Sequence, residues 1–70
     1  MRRIIQLRRH RRLLTERQVA AMLNVAPHTL AVWRTSNKGP AFLKLGRAVR
    51  YDEMDVYAYM DNARTNAASH

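Results

Sequence analysis

The stretch LLTERQVAAMLNVAPHTLAVWR, residues 13–34, predicts two short helices joined by a tight turn. Thr15 is a favourable N-cap residue, and Gln18 three positions later can complete a capping box with it. Leu14 before the cap and Val19 after it have the spacing of a hydrophobic staple. The first helix is therefore expected to begin directly after Thr15.

The sequence also marks the turn between the two helices. Asn24 tolerates the left-handed conformation that ends many helices. Pro27 suits the first position of a new helix, where its missing N–H would have no partner in any case. Apolar residues give each helix an inward stripe: Val19, Met22 and Leu23 in the first, Leu30 and Trp33 in the second. Two helices joined by so short a turn form a helix-turn-helix.

The second helix has an outward face that a DNA major groove could meet. With Leu30 and Trp33 inward, helical periodicity fixes which side chains point away from the core. Four lie opposite the core and two lie on the flanks: His28, Ala31, Val32 and Thr35, with Thr29 and Arg34. Capped helix pairs also occur in domains that bind nothing charged. This geometry alone therefore does not decide between a DNA-binding domain and a domain with no charged ligand.

Composition favours a polyanionic partner. The 70 residues make one small domain with a thin core, and the absence of cysteine excludes disulfides and thiolate metal ligands. The 13 Lys and Arg against 5 Asp and Glu favour nucleic acid over a merely solubilising surface. No apolar run approaches the roughly 20 residues of a membrane span. We therefore expect a cytoplasmic protein that binds no membrane.

Residues 1–12, MRRIIQLRRHRR, carry six arginines and no acid. We favour a basic arm lying near phosphate, because blocks of like charge are usually disordered until a partner neutralises them. A short helix docking Ile4, Ile5 and Leu7 on the core is the second interpretation, and a weakly bound membrane-surface helix is the third. The expected contacts with the DNA backbone come from this arm, the first helix and the loop after the second: Arg8, Arg9, Arg11, Arg12, Thr15, Arg17 and Lys38.

A loop, TSNKGP, precedes the segment AFLKLGRAVRY, which alternates as a β-hairpin does. Directly opposed residues lie on the same side of a sheet. Pairing Leu45 with Val49, and Leu43 with Tyr51, requires a three-residue loop over residues 46–48, and a two-residue turn would spoil the alternation. The hairpin is thus expected to pack an apolar face on the helices and turn a basic face outward, with Lys44 and Arg50 on that face and Arg47 at the tip.

Asp52 is expected to cap a third helix, with Glu53 and Asp55 in its first turn, where the helix dipole favours negative charge. Its inward stripe is Val56, Tyr59 and Met60, and Tyr57 lies off that stripe and is expected to be exposed. Trp33, Tyr51 and Tyr59 have core periodicity, so packing is favoured over stacking on bases. Four of the five acids lie in this segment, which makes the chain acidic here and basic at the arm, loop and hairpin.

Residues 13–60 resemble the excisionase family of small DNA-binding proteins, a branch similar to the MerR-like winged helices. The resemblance rests on the capped helix pair, on Thr29-Leu30 and Trp33, and on GPAFLKLGRAVRYDEMDVYAYM over residues 39–60. It implies a compact winged helix-turn-helix of the α+β class, mostly helical, with a two-stranded hairpin wing and a third helix. The expected divisions are an arm over residues 1–12, this domain over residues 13–62 and a flexible tail over residues 63–70.

The resemblance implies that the second helix enters the major groove and that the wing meets the neighbouring minor groove or backbone. The implied recognition-helix residues are His28, Thr29, Val32, Arg34 and Thr35, and the implied wing residues are Lys44, Arg47 and Arg50. Family members commonly carry a basic or long polar side chain on this helix face, where Ala31 and Val32 stand here. Small apolar side chains can touch thymine methyls but cannot read guanine. Affinity is therefore expected to come largely from phosphate contacts.

By the same resemblance, the protein is expected to be a phage or prophage excisionase that binds attachment-site DNA cooperatively, bends it and assists a tyrosine-type integrase. Copies would contact one another head to tail on DNA. The alternatives are a small transcriptional regulator of the same fold and a protein-interaction module whose basic arm binds an acidic partner. His10, His28 and His70 are too scattered for a metal site. No nucleophile setting or phosphate loop is apparent, so neither a cofactor nor enzymatic activity is expected.

Overall fold

The computed structural model describes residues 12–65; the segments before and after them, including most of the basic arm and of the tail, lie outside the described residues. The elements in chain order are β1 (Leu13–Thr15), α1 (Glu16–Leu23), α2 (Pro27–Thr35), β2 (Leu43–Leu45), β3 (Ala48–Asp52) and α3 (Glu53–Ala63). The predicted order of helix, turn, helix, hairpin and helix is confirmed. The chain has the mixed α+β, mostly helical architecture of a winged helix-turn-helix.

The sheet has three strands rather than the two of the predicted hairpin. Its order is β1-β3-β2, and both pairs are antiparallel. Leu14 of β1 pairs with Tyr51 of β3, 37 positions along the chain. Three residues are too few to show the alternation by which a strand is predicted, so β1 was not expected from its residues.

The register of the hairpin corrects the prediction. Leu45 pairs with Ala48, and Lys44 pairs with Val49, across a two-residue turn at Gly46 and Arg47. The prediction of a three-residue loop over residues 46–48 is therefore wrong. The reason is turn chemistry: Gly46 adopts a φ of 65°, and two-residue hairpin turns need a residue that accepts positive φ at their first central position.

This register turns the leucines of the wing outward. Leu43 and Leu45 share a face with Ala48 and Arg50, and their exposed fractions are 39% and 51%. The opposite face, which carries Val49 and the fully buried Tyr51, packs on the core. The expected arrangement of an apolar inner and a basic outer face is therefore wrong for Leu43, Leu45 and Lys44, and Lys44 lies on the face opposite Arg50.

The core draws on all three helices and the sheet. Its fully buried apolar residues are Leu14, Val19, Ala20, Leu30, Tyr51 and Val56, with Leu23, Val25, Trp33 and Val49 packed against them. Ala20 takes the place predicted for Met22 in the α1 stripe, and Met22 is exposed, as is Met60 in α3. Trp33 and Tyr59 meet at 6.0 Å between ring centroids, and Tyr57 is exposed as predicted.

The predicted helix boundaries are confirmed by their hydrogen bonds. Thr15 Oγ1 accepts from the Gln18 amide at 3.1 Å, and the Thr15 amide donates to Gln18 Oε1 at 2.8 Å, which completes the capping box. Asn24 has a φ of 57° and ends α1, while Pro27 is the first residue of α2. Asp52 Oδ1 accepts from the Met54 amide at 2.8 Å and caps α3. These residues mark the start and the end of α1 and the starts of α2 and α3. Within the part of the chain that the structure describes, no helix has the length and apolarity needed to cross a membrane.

Candidate nucleic-acid interface

The outward face of α2 carries the predicted recognition residues at its surface. His28, Val32 and Thr35 are exposed, whereas Thr29 is half-buried. The Thr35 hydroxyl donates to the Val32 carbonyl at 2.8 Å, so its proton is directed back to its own helix. This face therefore offers an imidazole, a small apolar surface and few free hydrogen-bond donors.

A groove of about 520 Å³ lies between the first turn of α1, the two ends of α2 and the wing. We call it the wing groove. It is lined by Thr15, Glu16, Arg17, Pro27, Arg34, Arg47, Ala48, Val49 and Arg50. Four of these nine residues are arginines and one is an acid. The structure thus brings together basic residues from α1, α2 and the hairpin, which lie far apart in the sequence.

The three outer arginines give the wing groove its positive rim. Arg17 and Arg47 are exposed, and Arg47 lies in the turn of the hairpin. Arg50 is half-buried, and its Nη1 donates to the Val49 carbonyl at 2.8 Å. Guanidinium groups spaced around a groove in this way suit the oxygens of a phosphate backbone. The wing groove therefore presents three guanidinium groups to solvent from α1 and the wing.

Arg34 occupies the floor of the wing groove and is held by Glu16. Its Nε donates to Glu16 Oε2 at 2.8 Å, and its Nη2 donates to Glu16 Oε1 at 3.4 Å. The Tyr51 hydroxyl donates to the same Oε2 at 3.4 Å. The hydrogen bond with Glu16 raises the pKa of Arg34, and burial, aided by the Glu16 charge, raises the pKa of Tyr51. Arg34 is thus engaged within the protein, although it lines the groove.

The remaining predicted contacts are dispersed. Thr15 lines the wing groove, but its hydroxyl oxygen already accepts a hydrogen bond as the α1 cap. Lys44 is exposed and is not among the groove residues, and Lys38 is exposed in the loop after α2. Arg12 is exposed and its guanidinium lies 3.7 Å from Glu53. Arg8, Arg9 and Arg11 lie outside the described residues.

Glu16 is the groove residue that the sequence reasoning missed. An acid at the first position of a helix is explained by the helix dipole alone, so it raises no further expectation. Its partner Arg34 follows 18 residues later, at a spacing that has no meaning within a single helix. Only the crossing of α1 and α2 brings the two side chains together. Among the described residues, no group of three or more His, Cys, Asp or Glu side chains is placed to hold a metal ion.

Residues 13–64 match the family described as helix-turn-helix domain. The match covers the whole motif, the wing and α3, and the chain therefore belongs to this family. It is a DNA-binding family that includes excisionase-like proteins. The comparison with curated proteins gives no match.

Proposed function

We propose that this protein is an excisionase: a small architectural protein that binds attachment-site DNA, bends it, and favours excision by a tyrosine-type integrase. DNA binding itself follows from the helix-turn-helix family. The observation that carries the proposal is the wing groove, where Arg17, Arg47 and Arg50 form a positive rim and α2 contributes Pro27 and Arg34 to the lining. The excision role rests on the resemblance of residues 13–60 to excisionases. The chain supplies no chemistry of its own in this scheme, and the strand exchange belongs to the integrase.

The proposed docking places α2 in the major groove and the wing on the adjacent backbone. His28 and Thr29 lie near the start of α2, and helix residues near that end commonly reach base edges in this motif. Val32 and Ala31 offer apolar contact to thymine methyl groups. Arg17, Arg47 and Arg50 would contact phosphates, with Lys44 and Lys38 contributing from the wing and the loop. Backbone contacts would dominate the affinity and make it depend steeply on salt.

Cooperative binding is proposed to compensate for weak readout by each copy. Neighbouring copies on one DNA raise the effective concentration of each other. The charges are polarised in a way that fits a head-to-tail contact: Glu53 and Asp55 lie in the first turn of α3, and Arg47 and Arg50 lie on the wing. The protein would act on DNA in the cytoplasm of a bacterial host, and copies of itself and the integrase would be its protein partners.

A gel-shift titration with duplexes of increasing length tests this proposal. An excisionase that binds several adjacent sites gives a ladder of shifted bands that lengthens with the DNA and weakens with salt. A single shifted band at every length, with one protected or palindromic site in a footprint, supports instead a small transcriptional regulator of the same fold. In an excision assay with the cognate integrase, the proposed function predicts that attachment-site recombination requires this protein.

A further inference from the structure

Four side chains from four parts of the chain form one cluster, and two of them, Glu16 and Arg34, line the wing groove. Glu16 begins α1, Arg34 lies in the last turn of α2, Tyr51 is in β3, and Phe42 directly precedes β2. The carboxylate accepts hydrogen bonds from the arginine and from the tyrosine. The guanidinium carbon lies 5.8 Å from the centre of the Phe42 ring, and that ring lies 6.3 Å from the Tyr51 ring. The recognition helix and the wing are thereby joined through one carboxylate.

Glu16 is the only acid among the nine residues that line the wing groove. A carboxylate in a groove that binds phosphate repels the ligand, and removing its charge should by itself strengthen binding. The side chains of Arg34 and Glu16 are only 23% and 25% exposed, so their pairing is screened less by solvent than a pair on the open surface. The position of Glu16 is therefore better explained by its hydrogen bonds with Arg34 and Tyr51 than by contact with a ligand.

We propose that Glu16 is a positioning residue for DNA binding, which sets the orientation of α2 relative to the wing through Arg34 and Tyr51. Arg34 acts through this carboxylate and does not contact phosphate directly. The inference rests on the proposed DNA-binding function of the same surface. It differs from the expectation drawn from the sequence, which makes Arg34 a DNA contact.

The test compares Glu16→Gln with Asp61→Asn as a matched control. Both variants remove one negative charge, but Asp61 is exposed on α3, away from the groove, where it pairs with Arg64. The probe is a random-sequence duplex long enough for one copy, and the readout is fluorescence anisotropy at several salt concentrations. Urea unfolding of each variant identifies conditions in which all of them are folded.

We expect Glu16→Gln to bind roughly 3- to 30-fold more weakly than the wild type, the range for residues that act on a site through others. Asp61→Asn should bind as the wild type does or slightly more tightly. The sign is decisive, because electrostatics alone predicts tighter binding for both variants. Tighter binding by Glu16→Gln would overturn the inference and leave DNA binding intact, whereas a wild-type protein that fails to bind the duplex at low salt would overturn the proposed function.

Two variants of Arg34 separate positioning from phosphate contact. Arg34→Gln should leave the salt dependence of binding unchanged, because no phosphate contact is lost, and its effect should not add to that of Glu16→Gln. Arg34→Lys should also weaken binding, because lysine keeps the charge but loses the planar fork that grips the carboxylate. A salt slope smaller by about one in Arg34→Gln, with near-normal binding by Arg34→Lys, would identify Arg34 as a phosphate contact instead.

Discussion

Gly39 lies against the indole of Trp33 in the loop that follows α2. Its φ is +83°, and a Cβ built on it would be 2.7 Å from Trp33 Cε3. Gly46 in the wing turn has a φ of +65°, but a Cβ there would meet nothing within 4 Å. The two glycines therefore separate two costs of substitution, backbone strain and collision with a neighbour.

We predict that Gly39→Ala destabilises the fold more than Gly46→Ala does. Gly46→Ala should lower the free energy of unfolding by about 1–2 kcal/mol, the cost of a left-handed backbone for alanine. Gly39→Ala should cost about 1–3 kcal/mol more, because the indole must also move. Urea unfolding monitored by Trp33 fluorescence measures both. Equal losses would show that the loop absorbs the methyl group without displacing the indole.

Because the pKa of Tyr51 is raised, we expect the free energy of unfolding to depend on pH in the alkaline range. Burial raises its pKa above the ordinary value of 10.0, with the Glu16 charge as a further cause. Because the pKa of the phenol is higher in the folded state than in the unfolded state, the phenol contributes fully to stability below pH 10. This contribution is lost as the pH rises through the folded-state pKa. The difference in unfolding free energy between wild type and Tyr51→Phe should therefore be constant up to about pH 10 and change above it. A difference that stays flat across the alkaline range would contradict the burial of this phenol.

In the wing, the alternation of apolar residues and the turn residues favour different registers. Alternation in residues 42–51 indicated a hairpin, and a hairpin is present, but the turn residues decided its register. Because side chains alternate between faces, the shorter turn moved Leu43 and Leu45 from the expected inner face to the outer one. The register of such a hairpin is predicted correctly only if the turn preference of Gly46 is given more weight than the alternation of apolar residues.

The register can be tested by comparing two leucines. Leu45→Ala should lower the unfolding free energy by about 0.5 kcal/mol or less, since Leu45 lies on the outer face of the wing. Leu30→Ala should cost about 2–5 kcal/mol, because Leu30 is fully buried in α2. Thermal or urea unfolding of the two variants measures both values. A loss of several kcal/mol at Leu45 would favour the three-residue loop, which places that leucine inside.

Local interactions made much of the fold predictable. The Thr15 capping box, the left-handed Asn24, the Pro27 start and the Asp52 cap each involve residues within a few positions, so the sequence displays them directly. The pairing of Leu14 with Tyr51 and of Glu16 with Arg34 depends on how helices and strands cross. Of the wing groove, the sequence indicated the arginines, but it could not indicate that one carboxylate lies among them.

Charge is distributed unevenly over the whole molecule. The formal net charge is +8, yet Glu53, Asp55 and Asp61 all lie on α3. The basic residues of the wing groove instead lie on α1, α2 and the wing. If DNA binds at the wing groove as proposed, this polarity should orient the approach of the protein to DNA before specific contacts form.

We propose that DNA binds across α2 and the wing groove, and a comparison of two exposed arginines tests this proposal. Arg47 is at the tip of the wing, whereas Arg64 follows α3 and is paired with Asp61. Binding of a duplex is measured by anisotropy over a series of salt concentrations for wild type, Arg47→Ala and Arg64→Ala. We predict that Arg47→Ala weakens binding and lowers the salt slope by about one, and that Arg64→Ala changes neither. Equal effects of the two substitutions, or wild-type binding that does not vary with salt, would contradict the account.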